Sequence, residues 1–443
     1  MGRSLSITAV VAALLFANTA RAEENILVIV TDDQRAGTLN VMPTTRAAFP
    51  VRFSNYFVTT DLCCPSRATY LTGQYAHNHG VRTNQSYSAF AARDIDSLGP
   101  WLRSQGYFTG FVGKYFNHFN AADGVPPGWD EFHSILWGPN GAKVSDNCTT
   151  LTMRRKDAFG DEVVVYDRIH CTDLFAEIAV NFLDHATDPA HNPSGKPFAL
   201  FVWPNAPNFG VPPERHARAG LPPWQEPPSF LEADLSDKPS EVRRSRWRRD
   251  SAEIHEATRA RQLRSLMAVD DLVERLVLKL EDVGAADSTW GMFTSDNGRF
   301  WGEHRLSGKL YGYEEGVHLP LRMRVPGLED GRIDALVANI DVAPTLLDLA
   351  GDPTGHAFDG SSFLPLLNGD ALDWRRAFLA EGWGYARYDS IRTMRWRYVF
   401  WPTTGHEELY DLDRDRFELT NIAVSRREVV ERLHARLRRL KRS

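Results

Sequence analysis

The run Ile26-Leu27-Val28-Ile29-Val30, followed at once by Thr31-Asp32-Asp33, constrains this chain more than any other stretch. It lacks the alternation of a half-exposed strand and the three- and four-residue steps of an amphipathic helix. It reads as a strand covered on both faces, as in parallel sheets with helices on each side. Phe108–Val112, Phe198–Trp203 and Trp290–Thr294 are runs of the same kind. Between them lies Leu263–Val283, where Leu266, Val269, Leu272, Val273, Leu276 and Leu280 mark one helical face. Strands alternating with helices predict an α/β fold: a large, mostly parallel sheet flanked by helices, with ligands beyond the carboxyl ends of the strands.

Residues 1–22 stand outside that fold. Arg3 supplies a positive start, Ile7 to Ala17 a short apolar stretch, and Ala20-Arg21-Ala22 a small-x-small cleavage site. The apolar stretch is about half of the ~20 residues a membrane span needs. These residues predict a signal peptide removed after Ala22, and export to a secreted, periplasmic or lysosome-like location. No later segment reads as a membrane span, and a formal net charge of −6 gives no sign of a nucleic-acid partner. Export permits a disulfide. Cys63 and Cys64 sit together in a motif, which makes Cys148 and Cys171 the natural pair. Asn84-Gln85-Ser86 and Asn147-Cys148-Thr149 are glycosylation acceptors in a source that glycosylates.

With 443 residues and 43% hydrophobic content, the chain can bury one large core and carry a smaller lobe. Residues 23–373 read as the catalytic domain and 374–443 as a C-terminal antiparallel α+β subdomain. In the latter, Asp389–Pro402 forms short strands and Arg426–Ser443 a basic helix with Val430, Leu433, Leu437 and Leu440 on one face. Pro204 to about Arg249, rich in Pro, Arg and acids, reads as a long surface excursion near the site.

The sharpest motif is Cys63-Cys64-Pro65-Ser66-Arg67, running into Leu71-Thr72-Gly73. It resembles the signature of the formylglycine-dependent sulfatases of the alkaline phosphatase superfamily, Cys-x-Pro-Ser-Arg followed by Leu-Thr-Gly. The first cysteine of that signature is oxidised to formylglycine by dedicated machinery, which implies Cys63 here. A hydrated aldehyde carries two hydroxyls on one carbon, one to attack the sulfur of a sulfate ester and one to collapse and expel sulfate. Arg67, one helical turn on, can face the same spot. Such a nucleophile needs a cation. Asp32 and Asp33 follow one strand, Asp296 and Asn297 another. Three carboxylates and an amide oxygen make a hard site suited to Ca²⁺ or Mg²⁺ and not to zinc. The resemblance implies Ca²⁺, ligated also by the modified Cys63.

The likeness extends from about Asn25 to Ala423. Gly113-Lys114-Tyr115 resembles the family's Gly-Lys-Tyr/Trp, and Gly302-Glu303-His304-Arg305-Leu306 leads to Gly308-Lys309 and Tyr313-Glu314-Glu315. Carried over, Lys114 and Lys309 clamp the sulfate and His304 is a nearby acid/base. Asn339-Ile340-Asp341-Val342-Ala343-Pro344-Thr345 and Glu408-Leu409-Tyr410-Asp411-Leu412 are family-like packing segments. Cys-Cys-Pro-Ser-Arg followed by His77-Asn78-His79 places the likeness nearest the N-acetylglucosamine-6-sulfatase and arylsulfatase branch.

Two positions depart from the family. Phe116 stands where many members have a histidine after Gly-Lys, and Asn208, in Ala206-Pro207-Asn208, where many have Ala-Pro-His on the leaving-group side. Asparagine donates a hydrogen bond but shuttles no proton. Losing a general acid typically costs ~10²–10⁴ in rate, more for an alkyl than a phenyl ester unless His304 or His118 substitutes. The expected reaction is hydrolysis of a carbohydrate or aryl O-sulfate. A phosphate or phosphonate monoester hydrolase, and a catalytically impaired binder of sulfated glycans suggested by Asn208 and Arg243–Arg249, are the alternatives.

Overall fold

The computed structural model describes residues 24–85, 87–138, 148–244, 251–352, 355–369, 373–384 and 386–442. The leader, Ser86, Asn147 and Arg249 lie outside the described residues, and with them the cleavage site, part of each glycosylation triplet and most of the Arg243–Arg249 cluster.

Ten strands form one sheet. In chain order they are β1 (Asn25–Thr31), β2 (Val51–Phe57), β3 (Phe108–Gly113), β4 (Glu131–Ile135), β5 (Thr150–Asp157), β6 (Gly160–Asp167), β7 (Phe198–Trp203) and β8 (Thr289–Ser295), then, after the two-residue strands β9 (Phe300–Trp301) and β10 (Ser307–Gly308) of a separate small ribbon, β11 (His318–Arg324) and β12 (Gly331–Ala338). Their spatial order is β12-β2-β11-β8-β1-β7-β3-β4-β5-β6. The central five, β8-β1-β7-β3-β4, run parallel, while β11 and β5–β6 pair antiparallel toward the two sides. The sheet is thus mixed, with its parallel part in the centre, where the long apolar runs lie.

The lack of alternation in β1 now has its physical reason. Ile26, Val28 and Val30 enter one apolar cluster, and Leu27 and Ile29 enter another on the opposite face. Helices Cys171–Thr187 and Ala252–Asp282 cover the second face through Phe175, Phe182, Leu266, Val269 and Val273. The latter helix begins well before the apolar pattern, at Ala252. Cys148 and Cys171 are disulfide-bonded.

A second sheet, β13 (Phe378–Gly382), β14 (Tyr388–Arg392), β15 (Trp396–Trp401) and β16 (His406–Asp411), is a four-stranded antiparallel meander. Helix Arg427–Leu440 packs on it through Val430, Leu433 and Leu437. This lobe shares one continuous apolar cluster with the first face of the large sheet, and Arg375 ties it to Asp341 (Nη1 to Oδ2, 2.8 Å). The stretch after Pro204 is irregular, yet Asn205, Ser229, Glu232, Lys238 and Val242 are buried. It differs from a surface excursion because it covers the β9–β10 ribbon: the Ser229 carbonyl accepts from the His304 N–H. No helix among the described residues is long and apolar enough to cross a membrane.

Candidate active site

Four adjacent parallel strands deliver the side chains. Thr31 of β1 is in register with Ser295 of β8, so Asp32-Asp33 and Asp296-Asn297 emerge side by side. Asp33 takes a left-handed conformation (φ 70°), which aspartate tolerates better than branched residues, and its N–H donates to Asp296 Oδ1 at 3.1 Å. Lys114 leaves the end of β3 through Gly113 (φ 118°), where a Cβ would meet the Trp203 carbonyl oxygen at 2.2 Å. Only glycine lets the chain turn there.

Cys63 opens the helix Cys63–Thr72, closed by Gly73 in left-handed geometry. Asn84 Oδ1 accepts from the Cys64 N–H at 2.9 Å, a cap supplied from a distant loop. Arg67, one turn on and fully buried, donates from Nε to Asp296 Oδ2 at 2.9 Å and from a terminal nitrogen to the Lys114 carbonyl. One ligand atom each of Asp32, Asp33, Cys63 and Asp296 lies within 4.8 Å of the others. Lys114 donates to Asp32 Oδ2 and Lys309 to Asp33 Oδ1, while Lys309 Nζ also lies 2.8 Å from Cys63 Sγ. Asn297 joins through Nδ2, 2.6 Å from Asp33 Oδ1.

Burial alone would raise the Asp33 carboxyl, but the ammonium of Lys309 and the guanidinium of Arg299 outweigh it and hold Asp33 well below the carboxylate range. Asp296 moves up, through burial and then the neighbouring Asp32 charge. Burial and Asp32 also push the Cys63 thiol far above its ordinary range, and burial lifts Cys64 to about 11.

The sulfatase family model matches residues 24–352, and that of the N-sulphoglucosamine sulphohydrolase C-terminal region matches 302–443. The chain belongs to the sulfatase family. It is 30% identical to human N-acetylglucosamine-6-sulfatase over 90% of this chain and 81% of that protein. It is 32% identical to a putative extracellular sulfatase Sulf-1 homolog of Caenorhabditis elegans and to an extracellular sulfatase SULF-1 homolog of Drosophila melanogaster. Of these two it spans 49% and 34%, half their length or less. In fold it resembles BT4656, solved with its substrate D-glucosamine-2-N,6-O-disulfate (TM-score 0.79, 23% identity, 95% of this chain and 98% of that one). It also resembles the phosphonate monoester hydrolase of Agrobacterium radiobacter (TM-score 0.72, 23% identity, 94% and 95%). The alkaline phosphatase-like α/β architecture expected of a sulfatase is the one observed.

Against the sulfatase pattern, the two departures have definite surroundings. Asn208 follows the cis Ala206–Pro207 bond and donates from Nδ2 to Asp32 Oδ1 at 3.1 Å. Phe116 is buried and stacks on Phe90, in an aromatic nest with Tyr87 and Tyr115. His118 packs against Trp137. The structure does not bring His304 into the cluster around Cys63: it is buried with Glu232, Glu315 and Glu418. Its ring is aimed by a left-handed backbone (φ 51°) and by Glu232, a residue sequence spacing does not single out.

Three further residues were not legible as site residues. Arg299 Nη1 lies 2.9 Å from Asp33 Oδ2, and its place two residues after Asn297 was the available signal. Ser295 Oγ accepts from the Gln34 N–H at 2.9 Å, locking the turn after Asp33. Asp61 Oδ2 accepts from the N–H groups of Leu310, Tyr311 and Gly312 at 2.9, 3.0 and 3.1 Å, and Asp61 Oδ1 from the Tyr388 hydroxyl at 2.6 Å. Asp61 thus fixes the loop that carries Lys309, and no motif marks it.

Proposed function

We propose that this chain is an exported hydrolase of O-sulfate esters, acting on a sulfated carbohydrate, with Cys63 converted to formylglycine. The observation that carries the reading is the convergence of Cys63, Asp32, Asp33 and Asp296 within 4.8 Å of one another, flanked by Lys114 and Lys309. An unmodified Cys63 is a poor nucleophile there, because burial and Asp32 keep its proton on. As formylglycine hydrated by one water it offers one hydroxyl for attack on sulfur and a second whose proton loss returns the aldehyde and releases sulfate.

The donor set fits a hard divalent ion, Ca²⁺ or Mg²⁺. Asp32, Asp33 and Asp296 are buried carboxylates, and Asn297, whose Nδ2 faces Asp33 here, would turn its amide oxygen to the ion. Such an ion draws charge from sulfate oxygens and acidifies the nucleophile. Lys114, paired with Asp32, and Lys309, beside Asp33 and Cys63, hold the remaining sulfate oxygens. Arg67 bridges the Cys63 helix to Asp296 and fixes their relative position. Asn208 donates a hydrogen bond on the leaving-group side, so the leaving oxygen takes its proton from elsewhere. In this reading residues 23–373 form the catalytic domain, and subdomain 374–443 braces it through Tyr388 and Asp61.

Relatives named N-acetylglucosamine-6-sulfatase and a fold neighbour solved with a disulfated glucosamine support a sulfated sugar as substrate. Relatives named extracellular sulfatases support export. Likeness to a phosphonate monoester hydrolase favours a second reading, phosphonate or phosphate ester hydrolysis. Turnover of nitrophenyl sulfate beside nitrophenyl phosphate and a phenyl phosphonate separates the two. Preference for either phosphorus ester rejects the sulfatase activity.

A further inference from the structure

We propose a second metal site in this protein, distinct from the cluster around Cys63, in which His304, Glu315 and Glu418 bind a divalent transition-metal ion. The three come from separate places: the loop between β9 and β10, the short helix before β11, and the segment after β16. A ring nitrogen of His304 and one carboxylate oxygen each of Glu315 and Glu418 lie within 4.8 Å of one another. His304 is wholly buried (0% exposed), and its Nδ1 is taken by Glu232 Oε2 at 2.6 Å, which leaves Nε2 as the ligand atom.

Three atoms there are buried without a hydrogen-bond partner: His304 Nε2, Glu315 Oε2 and Glu418 Oε1. A buried polar atom left unpaired costs about 1–3 kcal/mol, and more when charged. Glu418 Oε1 has the Arg397 guanidinium beside it, whereas His304 Nε2 and Glu315 Oε2 have no partner, and a cation set among the three satisfies both. The remaining groups are arranged as supports. Glu232 orients the imidazole from its other nitrogen, the arrangement that metal-bound histidines commonly have. Glu418 Oε2 accepts from the Glu314 N–H at 2.9 Å, which fixes the carboxylate plane. Arg397 Nε lies 3.1 Å from Glu418 Oε1 without hydrogen-bond geometry, so it balances charge there and competes with the ion. Glu315 also lines a cavity of about 380 Å³ with Arg35, His318, Arg416 and Phe417. One imidazole and two carboxylates suit Zn²⁺, Mn²⁺ or Co²⁺ better than Ca²⁺.

The test loads the full chain with Co²⁺ in the presence of excess Ca²⁺, which occupies the all-oxygen cluster, followed by desalting, elemental analysis and a visible spectrum. The expected result is about one Co²⁺ per chain with d–d bands shifted from those of aqueous Co²⁺. Glu418→Gln and His304→Gln should lose most of the Co²⁺ and the shifted bands, while Asp33→Asn keeps both. Absence of bound Co²⁺ in the wild-type chain would overturn the site and leave a hydrogen-bonded histidine–carboxylate cluster. So would Co²⁺ that disappears in Asp33→Asn and persists in Glu418→Gln. A wild-type chain that binds no Co²⁺ decides against the site even if a variant does not fold, and where Glu418→Gln does not fold, His304→Gln makes the same assignment.

Discussion

Lys309 Nζ lies 2.8 Å from Cys63 Sγ while donating to Asp33. Cys63 opens a helix, and the lysine sits on a loop held by Asp61. One ammonium thus ties Cys63 to the acid cluster beside it.

Modification of Cys63 should be visible directly. A peptide bearing Cys63 is expected to be about 18 Da lighter than its thiol form, since CH₂SH becomes CHO, and to react with hydrazides. Cys63→Ala should abolish turnover. Cys64→Ala should retain much of it, because that sulfur faces the Asn117 N–H (3.2 Å) and the Gln85 carbonyl (3.8 Å). The reverse pattern would move the nucleophile to Cys64.

Lys309→Ala should lower kcat/KM for an aryl sulfate by about 10²–10³, the usual loss when a charge-stabilising donor is removed. Asp61→Asn should cost about 10–100-fold, as supporting groups do, because it loosens the loop without removing a group that meets sulfate. Equal activity of Lys309→Ala and wild type would remove this lysine from the site.

Asn208→His restores a group that can carry a proton at a position within 3.1 Å of Asp32. It should raise kcat/KM on alkyl sulfates more than on aryl sulfates, by up to ~10²-fold, and add an imidazole limb to the pH–rate profile. An equal change on both ester types would mean that position 208 does not face the leaving group.

Chelation should remove activity, and Ca²⁺ should restore it. Binding at 100 times Kd stabilises a fold by about 2.7 kcal/mol, so the melting temperature should rise with added Ca²⁺. Asp33→Asn should blunt that rise. An unchanged melting temperature in both proteins would exclude a cation bound at this cluster.

His79 provides a pH test away from the cluster. Burial, assisted by Arg93, lowers it from 6.5 to about 3. Its Nδ1 accepts from the Val81 N–H at 3.1 Å, so Nε2 carries the proton toward Thr69 Oγ1 at 3.1 Å. The unfolded chain takes up a proton near pH 6.5 and the folded chain only near 3. Its contribution is present above 6.5 and lost as pH falls toward 3, with a slope of about 1.4 kcal/mol per pH unit. Denaturant unfolding between pH 4 and 6 should be steeper in pH for wild type than for His79→Gln by about this slope.

What the sequence determined by itself was local in origin. The unbroken apolar run of β1 required a strand buried on both faces, and its clustering into two cores is the outcome. The acids after β1 and β8 were legible because strand ends in parallel register bring such residues together, whereas the lysine after β3 was singled out only by the resemblance of Gly113-Lys114-Tyr115 to the family motif. Pairing of Cys148 with Cys171 followed by elimination, because Cys63 and Cys64 sit together in one motif. Tertiary structure alone decided the rest. The sheet became mixed because β11, β5 and β6 pair antiparallel, a choice made by strand neighbours and not by strand composition. His304 fell into a separate carboxylate cluster because a left-handed turn and Glu232, 72 residues away in sequence, aim its ring. Asp61, Asn84 and Arg299 took their places through hydrogen bonds to distant segments. Such bonds leave no periodicity or spacing in the chain, because they depend on where the backbone returns in space.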